Sequence, residues 1–225
     1  MFRIIVLLTL LHFYQPVFST EDTVSQGVAR YLTRIHKYME DEDWINAKRE
    51  LEVTARRYFK NEDSYERALI NQLYGQFYAL QRDYKNATPW FEKAIAKGRL
   101  PFAADLQVTY SLAQCYFQTG RYQDVIKTLE NYRNKAEKRG QNMAPIQLML
   151  LGIAYYQEQD ILNAYANIAE ANATATKLNE EWLQYEFALA VELEKYDDAV
   201  RVGQFLIFVN PEKKSYWKQL SGVYY

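Results

Sequence analysis

The feature that most constrains this chain is a turn that recurs five times at nearly constant spacing. At each occurrence an apolar, aromatic stretch with helical periodicity precedes a short turn, and a second helical stretch follows it. A small residue stands just after each turn, at positions 47, 87, 125, 164 and 199, which gives spacings of 40, 38, 39 and 35 residues. Such units stack along a chain because no single unit buries its apolar face alone.

The composition agrees with an all-helical chain. Only eight of the 225 residues are Gly and five are Pro, and so few breakers favour helix. The 20 Tyr suit a fold with many half-buried seams, because Tyr can bury its ring and leave its hydroxyl hydrogen-bonded. The alternative is an unrelated helical bundle, which five aligned turns argue against.

The residues inside the units resemble the tetratricopeptide repeat, which is a pair of antiparallel helices with Gly, Tyr, Ala and Phe at fixed places. The second unit matches this pattern best, with Gly75, Tyr78, Ala87 and Phe91. The other matches are partial: the fourth unit has Leu148, Leu151, Gly152, Tyr155 and Ala164, the fifth has Ala199 and Pro211, and the sixth has Trp217, Leu220 and Tyr224. The resemblance implies an all-α fold, a right-handed α-solenoid of about five repeats and an incomplete sixth over residues 20–225. It also implies that Gly75 and Gly152 lie where paired helices approach closely.

The last residue, Tyr225, falls inside the first helix of the sixth unit. We therefore expect the solenoid to be truncated at its C-terminus, with an apolar seam at Trp217, Leu220 and Tyr224 that a further helix would cover. The alternative is that this last helix caps the solenoid, or docks onto a second copy of the chain or onto a partner.

Residues 1–19 have the form of a secretory signal peptide. Arg3 gives a positive start, Ile4–Leu11 is apolar, and Val17 and Ser19 are small enough for cleavage after Ser19. The alternative is an uncleaved membrane anchor, although the apolar stretch is short for a span. No later segment is long and apolar enough to cross a bilayer, so we expect an exported, periplasmic mature form that does not span the membrane.

Charge and reactive residues argue against catalysis and against nucleic acid as a partner. Residues 20–225 carry 26 Lys and Arg against 28 Asp and Glu, without a basic stripe. His36 is interpreted as a surface or groove residue, and Cys115 as a buried hydrophobe. The acidic run 40–43 is a solvated turn. Two sequences of the glycosylation type, at Asn86 and Asn172, are taken as coincidental. We expect no enzyme activity, no cofactor and no metal site.

The resemblance also implies a binding groove along the first helix of each unit. Its inner positions carry no Lys, Arg or Asn, which excludes the carboxylate-gripping mode of chaperone-binding members and favours a neutral protein or peptide segment. Some apolar members could instead pack against neighbouring units. The predicted groove residues are Gln72, Gln76, Tyr110, Gln114, Phe117, Gln118, Met149, Ile153, Tyr156 and Gln157.

The segment 210–220 is similar to one in periplasmic tetratricopeptide proteins associated with TonB transport systems. This similarity implies an interaction scaffold in the bacterial envelope, beside TonB, ExbB and ExbD. Two alternatives stay open: an assembly scaffold for cell-wall or polysaccharide machinery, and a repeat segment of a larger enzyme.

Overall fold

The computed structural model describes residues 26–58 and 63–224, and the described part contains helices and no strand. The predicted signal peptide lies outside the described residues. The helices are α1 (Gln26–Glu40), α2 (Trp44–Tyr58), α3 (Tyr65–Leu80), α4 (Tyr84–Ile95), α5 (Phe102–Gln118), α6 (Tyr122–Glu137), α7 (Pro145–Gln157), α8 (Ile161–Thr174), α9 (Glu180–Glu192), α10 (Tyr196–Val209) and α11 (Lys214–Val223).

The helices form five successive pairs, and α11 opens a sixth unit. Every extensive helix–helix contact joins helices that are neighbours in the sequence, from α1 with α2 to α10 with α11. The predicted all-α solenoid of helix pairs is therefore confirmed. None of the described helices is both long enough and apolar enough to span a membrane.

The turn inside each pair has one geometry throughout. The second residue after the first helix adopts a left-handed conformation, and the next N–H reaches back over the helix end. The Asp83 N–H, for example, donates to the Tyr78 carbonyl at 2.9 Å. This arrangement satisfies carbonyls that a helix C-terminus leaves open. Only one of the five left-handed residues is Gly: Glu42, Arg82, Gly120, Gln159 and Glu194.

Asp side chains begin the second helix in three of the pairs. Asp43, Asp83 and Asp160 each accept the backbone N–H of an Asn three residues later, at 3.1 to 3.3 Å, and also its side-chain amide. This is N-capping, which satisfies donors at the start of the helix. The acidic run 40–43 is thus a helix-joining turn, as predicted, and its Asp43 is a cap.

The small residues lie at close helix contacts, as the sequence predicts. A Cβ added to Gly75 would lie 2.5 Å from the Phe91 ring, and one added to Gly152 would lie 2.6 Å from Ile168. Ala87, Ala164 and Ala199 are fully buried. These positions let the two helices of a unit approach without a gap.

Tyrosine hydroxyls join successive units in the middle of the chain. The Tyr116 hydroxyl on α5 donates to Glu92 on α4 at 2.6 Å, and the Tyr155 hydroxyl on α7 donates to Glu130 on α6 at 3.0 Å. Both rings fill the seam between units and keep their hydroxyls hydrogen-bonded, as expected for the many Tyr residues of this sequence.

The junction between α8 and α9 is built differently. Glu186 on α9 is 1% exposed and accepts hydrogen bonds from Asn172 on α8 at 2.9 Å and from Arg201 on α10 at 2.7 Å. Arg201 also contacts Asp198, which accepts the Tyr165 hydroxyl at 2.6 Å. A buried carboxylate therefore ties three helices together.

Candidate protein-binding face

The predicted groove residues fall into two rows that the regular turns define. The first row consists of Gln72, Tyr110 and Met149, which lie the same number of residues before the first residue of α4, α6 and α8, respectively. Gln76, Gln114 and Ile153 lie one helical turn further along and form the second row. Residues four apart share a helix face, so the two rows lie side by side on α3, α5 and α7.

The two rows change character along the chain. In α3 and α5 they consist of neutral hydrogen-bonding side chains, and Gln72, Tyr110 and Gln114 are half-buried. In α7 they are apolar and closed, because Met149 is 2% exposed and Ile153 is 5% exposed. In this structure Met149 and Ile153 form part of the apolar core, which matches the packing alternative for apolar inner positions. Gln76 is covered to a similar degree, at 6% exposed, but it keeps a polar side chain.

The remaining predicted residues lie near the ends of α5 and α7. Phe117 is half-buried and packs edge-on against Tyr122, with ring centroids 5.5 Å apart. Gln118, Tyr156 and Gln157 are exposed. The exposed and half-buried members are available for contact, and their role in binding stays a prediction.

The half-buried Tyr110 ionises less readily than a free tyrosine. Burial raises its pKa to about 12, and a hydrogen bond with Gln114 acts in the opposite direction. The phenol is therefore neutral at physiological pH and serves as a donor or acceptor without charge.

The second row extends back to α1 through His36, which the sequence indicates as a surface or groove residue. His36 occupies the position in α1 that Gln76 occupies in α3, as the alignment of their turns shows. Burial lowers the pKa of His36, and the nearby Glu40 acts in the opposite direction. His36 is neutral at pH 7 and continues an uncharged row. It lies as many residues before Asp43 as Gln76 lies before Asp83, and this equal spacing could have assigned it to the row from the sequence.

The cysteine and the two Asn residues of the glycosylation-type sequences are buried or hydrogen-bonded within the fold. Cys115 is 2% exposed, and burial raises the pKa of its thiol to about 12, so the nucleophilic thiolate is not populated at neutral pH. Asn86 and Asn172 are both helical, and their side-chain amides donate to Asp83 and to Glu186. Among the described residues no group of His, Cys, Asp and Glu is arranged to hold a metal ion.

The predicted apolar end is partly exposed. Trp217 is 56% exposed and Tyr224 is 64% exposed, whereas Leu220 packs against α10 close to Gly203. Self-association through this end stays a prediction.

Comparison with known proteins identifies the fold. No protein-family model and no curated protein matches the sequence. Among solved structures, the chain is similar to a tetratricopeptide repeat protein from Parabacteroides merdae, with a TM-score of 0.63 and 15% identity over 89% of this chain and 73% of the other. It is also similar to YrrB, a tetratricopeptide repeat protein with an unusual peptide-binding site, with a TM-score of 0.63 and 13% identity over 84% of this chain and 89% of YrrB.

A third similar structure is PilW, a type IV pilus biogenesis factor. Its TM-score is 0.54 and its identity 16%, over 90% of this chain and all of PilW. At these identities the similarity establishes the fold alone, and the fold is that of tetratricopeptide solenoids, as the sequence predicts.

Proposed function

We propose that this protein is a non-catalytic scaffold that binds an extended, uncharged segment of a partner protein along α3 and α5. The observation that carries the proposal is the pair of neutral polar rows on these two helices. The fold supports it, because stacked helix pairs present long surfaces on which extended ligands bind. The buried thiol of Cys115 and the neutral His36 support the absence of catalysis.

We place the scaffold in the bacterial envelope. Residues 1–19 support export, and the similarity of segment 210–220 to TonB-associated proteins supports a position beside TonB, ExbB and ExbD. A scaffold for cell-wall or polysaccharide assembly, or a repeat segment of a larger enzyme, is the alternative. Self-association through Trp217 and Tyr224 would be an additional property.

Binding is tested with a displayed library of twelve-residue peptides selected on the immobilised protein. Tyr110→Ala combined with Tyr156→Ala should abolish binding of the selected peptides and leave the helical content unchanged. The matched control is Tyr196→Ala with Phe208→Ala, which removes two exposed aromatic rings from α10 instead. Full retention of binding by the first variant, or equal loss in both, would place the site elsewhere.

Location and partner need a separate experiment. Expression of the whole chain in a Gram-negative host should give a periplasmic protein whose N-terminus is Thr20. Crosslinking in cells should then join it to TonB, ExbB or ExbD. A protein that keeps residues 1–19, or that crosslinks only to cell-wall enzymes, would contradict these parts of the proposal and leave the peptide-binding result intact.

A further inference from the structure

Three side-chain amides on α3 have a buried oxygen that accepts no hydrogen bond among the described residues, those of Asn71, Gln72 and Gln76, and the last two belong to the candidate binding face. Gln76 is 6% exposed and Gln72 is half-buried, and the Oε1 atom of each is buried and accepts no hydrogen bond among the described residues. Buried polar atoms are almost always satisfied in native proteins, and each exception calls for a physical reason such as an absent donor. The two orphan acceptors lie next to each other in the two rows of the candidate binding face.

The two acceptors repeat at the spacing of an extended main chain. Residues four apart in a helix are separated by about 6 Å along its axis, at 1.5 Å per residue. In an extended chain, N–H groups that point to one side recur every second residue, about 6.6–6.8 Å apart. One extended segment lying along α3 can therefore donate one N–H to Gln72 and the next to Gln76.

The surroundings favour a ligand without charge. The neighbouring members of the rows are Tyr110, Gln114 and His36, and none carries a charge at neutral pH. An ionised ligand group in such a site would lose its hydration and gain no counter-charge. Main-chain amides are neutral and lose only hydrogen bonds to water, which the Gln acceptors replace.

We propose that Gln72 and Gln76 are paired acceptors for main-chain N–H groups of an uncharged, extended peptide. The inference rests on the proposed peptide-binding function and specifies what that site recognises. The terminal torsion of a Gln side chain is soft, so both amides can turn toward a ligand without movement of α3. Recognition then depends on backbone spacing, and side-chain specificity comes from other contacts such as Tyr110.

The test uses two displayed libraries of twelve-residue peptides, one without Asp, Glu, Lys, Arg and His, and one containing all residues. The uncharged library should yield binders that keep their affinity when synthesised with an acetylated N-terminus and an amidated C-terminus. N-methylation, scanned along such a peptide, should weaken binding about tenfold at two positions that are two residues apart. Failure of the uncharged library to yield any binder would overturn the inference.

Two variants of α3 complete the test. Gln72→Leu and Gln76→Leu should each weaken binding of the capped peptide roughly tenfold, and the thermal midpoint should stay the same or rise because a buried orphan acceptor is removed. Gln204→Leu, at an exposed position on α10, is the matched control and should bind as the unmodified protein does.

The outcomes separate this inference from the proposed function. If Tyr110→Ala with Tyr156→Ala abolishes binding but Gln72→Leu and Gln76→Leu do not, the face binds peptide and the amide pairing is wrong. Dependence on a free carboxylate or on a charged peptide residue would likewise overturn it. Unchanged affinity at every N-methylated position would mean that water alone satisfies the two amides.

Discussion

The second and fifth units use the same helix contact with the sizes of the two residues reversed. In the second unit Gly75 on the first helix faces Phe91 on the second, and in the fourth unit Gly152 faces Ile168. In the fifth unit the equivalent positions are Phe187 and Gly203, and the Phe187 ring lies 3.2 Å from a Cβ built on Gly203. In these three units the contact pairs one large with one small residue, and either helix can supply the small one.

The reversed pair is also the looser one. A Cβ on Gly75 would meet three atoms of a fully buried ring, and one on Gly152 would meet Ile168 and the backbone oxygen of Ala164. A Cβ on Gly203 would come no closer than 3.0 Å, to the end of the half-buried Leu220. The fifth unit should thus tolerate change at its Gly better than the second and fourth units do.

The largest loss of stability is expected when the Phe187 ring is removed from the fifth-unit helix contact. Phe187→Gly should destabilise the protein by about 3–5 kcal/mol, because a buried ring is lost and a cavity is left. Adding Gly203→Phe should recover about 1–3 kcal/mol, because the second ring fills the space of the first. Denaturant titration of the two single variants and the double variant measures this coupling. If the stability changes of the two single variants simply add up in the double variant, the side chains at the two positions do not share one space.

The two kinds of Gly position should differ on substitution by Ala. Gly75→Ala and Gly152→Ala should each cost about 1–3 kcal/mol through overpacking. Gly203→Ala should be close to neutral, because the gain of about 1 kcal/mol from removing a helical Gly offsets a mild contact. Urea unfolding midpoints of the three variants make the comparison. Equal losses at all three positions would contradict the difference in packing.

The α8–α9 junction is expected to respond to the loss of its cation. Arg201→Met should cost about 1–3 kcal/mol, below the value for a fully buried pair because the Arg201 side chain is 47% exposed. Replacing Glu186 by Leu in the same variant should recover most of the loss, because no buried carboxylate then remains. Thermal unfolding of the single and double variants at pH 7 tests both statements.

The same variant should have a characteristic pH dependence. Burial raises the pKa of Glu186, and Arg201 and Asn172 lower it part of the way, so removal of Arg201 raises it further. A carboxyl with a raised folded-state pKa favours folding at acid pH and loses that contribution as pH rises through the folded-state pKa. The deficit of Arg201→Met relative to the unmodified protein should therefore shrink between pH 7 and pH 5. A deficit that grows on acidification would contradict this assignment.

The middle junctions should lose less from a comparable change. Tyr155→Phe keeps the ring and removes the hydroxyl that donates to Glu130, which Arg133 also contacts. We expect a loss of about 0.5–1.5 kcal/mol, typical of one hydrogen bond. The difference from Arg201→Met is measured by the same thermal unfolding series, and a larger loss in Tyr155→Phe would reverse the order of the two junctions.

The smallest effect concerns a feature that all five units share. Glu194 holds a left-handed conformation with φ of 57°, which Gly adopts without steric cost. Glu194→Gly should stabilise the protein by up to about 1 kcal/mol, since relief of strain exceeds the added flexibility of the unfolded chain. Gly120→Ala is the reverse test and should destabilise. Differential scanning calorimetry can resolve both shifts.

Sequence reasoning predicted the fold because the repeat places apolar, small and turn residues at fixed intervals. Gly75 and Gly152 could be identified this way, and so could the helix pairing. The left-handed turn residues Arg82 and Gln159 could not, because their conformation is imposed by backbone hydrogen bonds rather than by side-chain type. Burial of the predicted groove residues Met149 and Ile153 depends on contacts between units, which one unit's pattern does not contain.

Burial of the Glu186 carboxylate could not be predicted from the sequence either. Glu186 resembles any surface acid in the sequence, and its partners Asn172 and Arg201 lie on two other helices. The position of His36 in the row could have been predicted, because His36 and Gln76 lie the same number of residues before the turns that follow them. What sequence cannot supply is how far each side chain is covered once neighbouring units stack.

The concentration of extensive contacts between neighbouring helices also affects how this chain acquires its structure. Proteins rich in local contacts fold within microseconds to milliseconds. A ribosome adds roughly 5–20 residues per second, so a helix pair has time to form before the next pair has been synthesised. Since the extensive contacts of each helix are with its neighbours in the sequence, folding can proceed unit by unit along the chain, one unit serving as the template for the next.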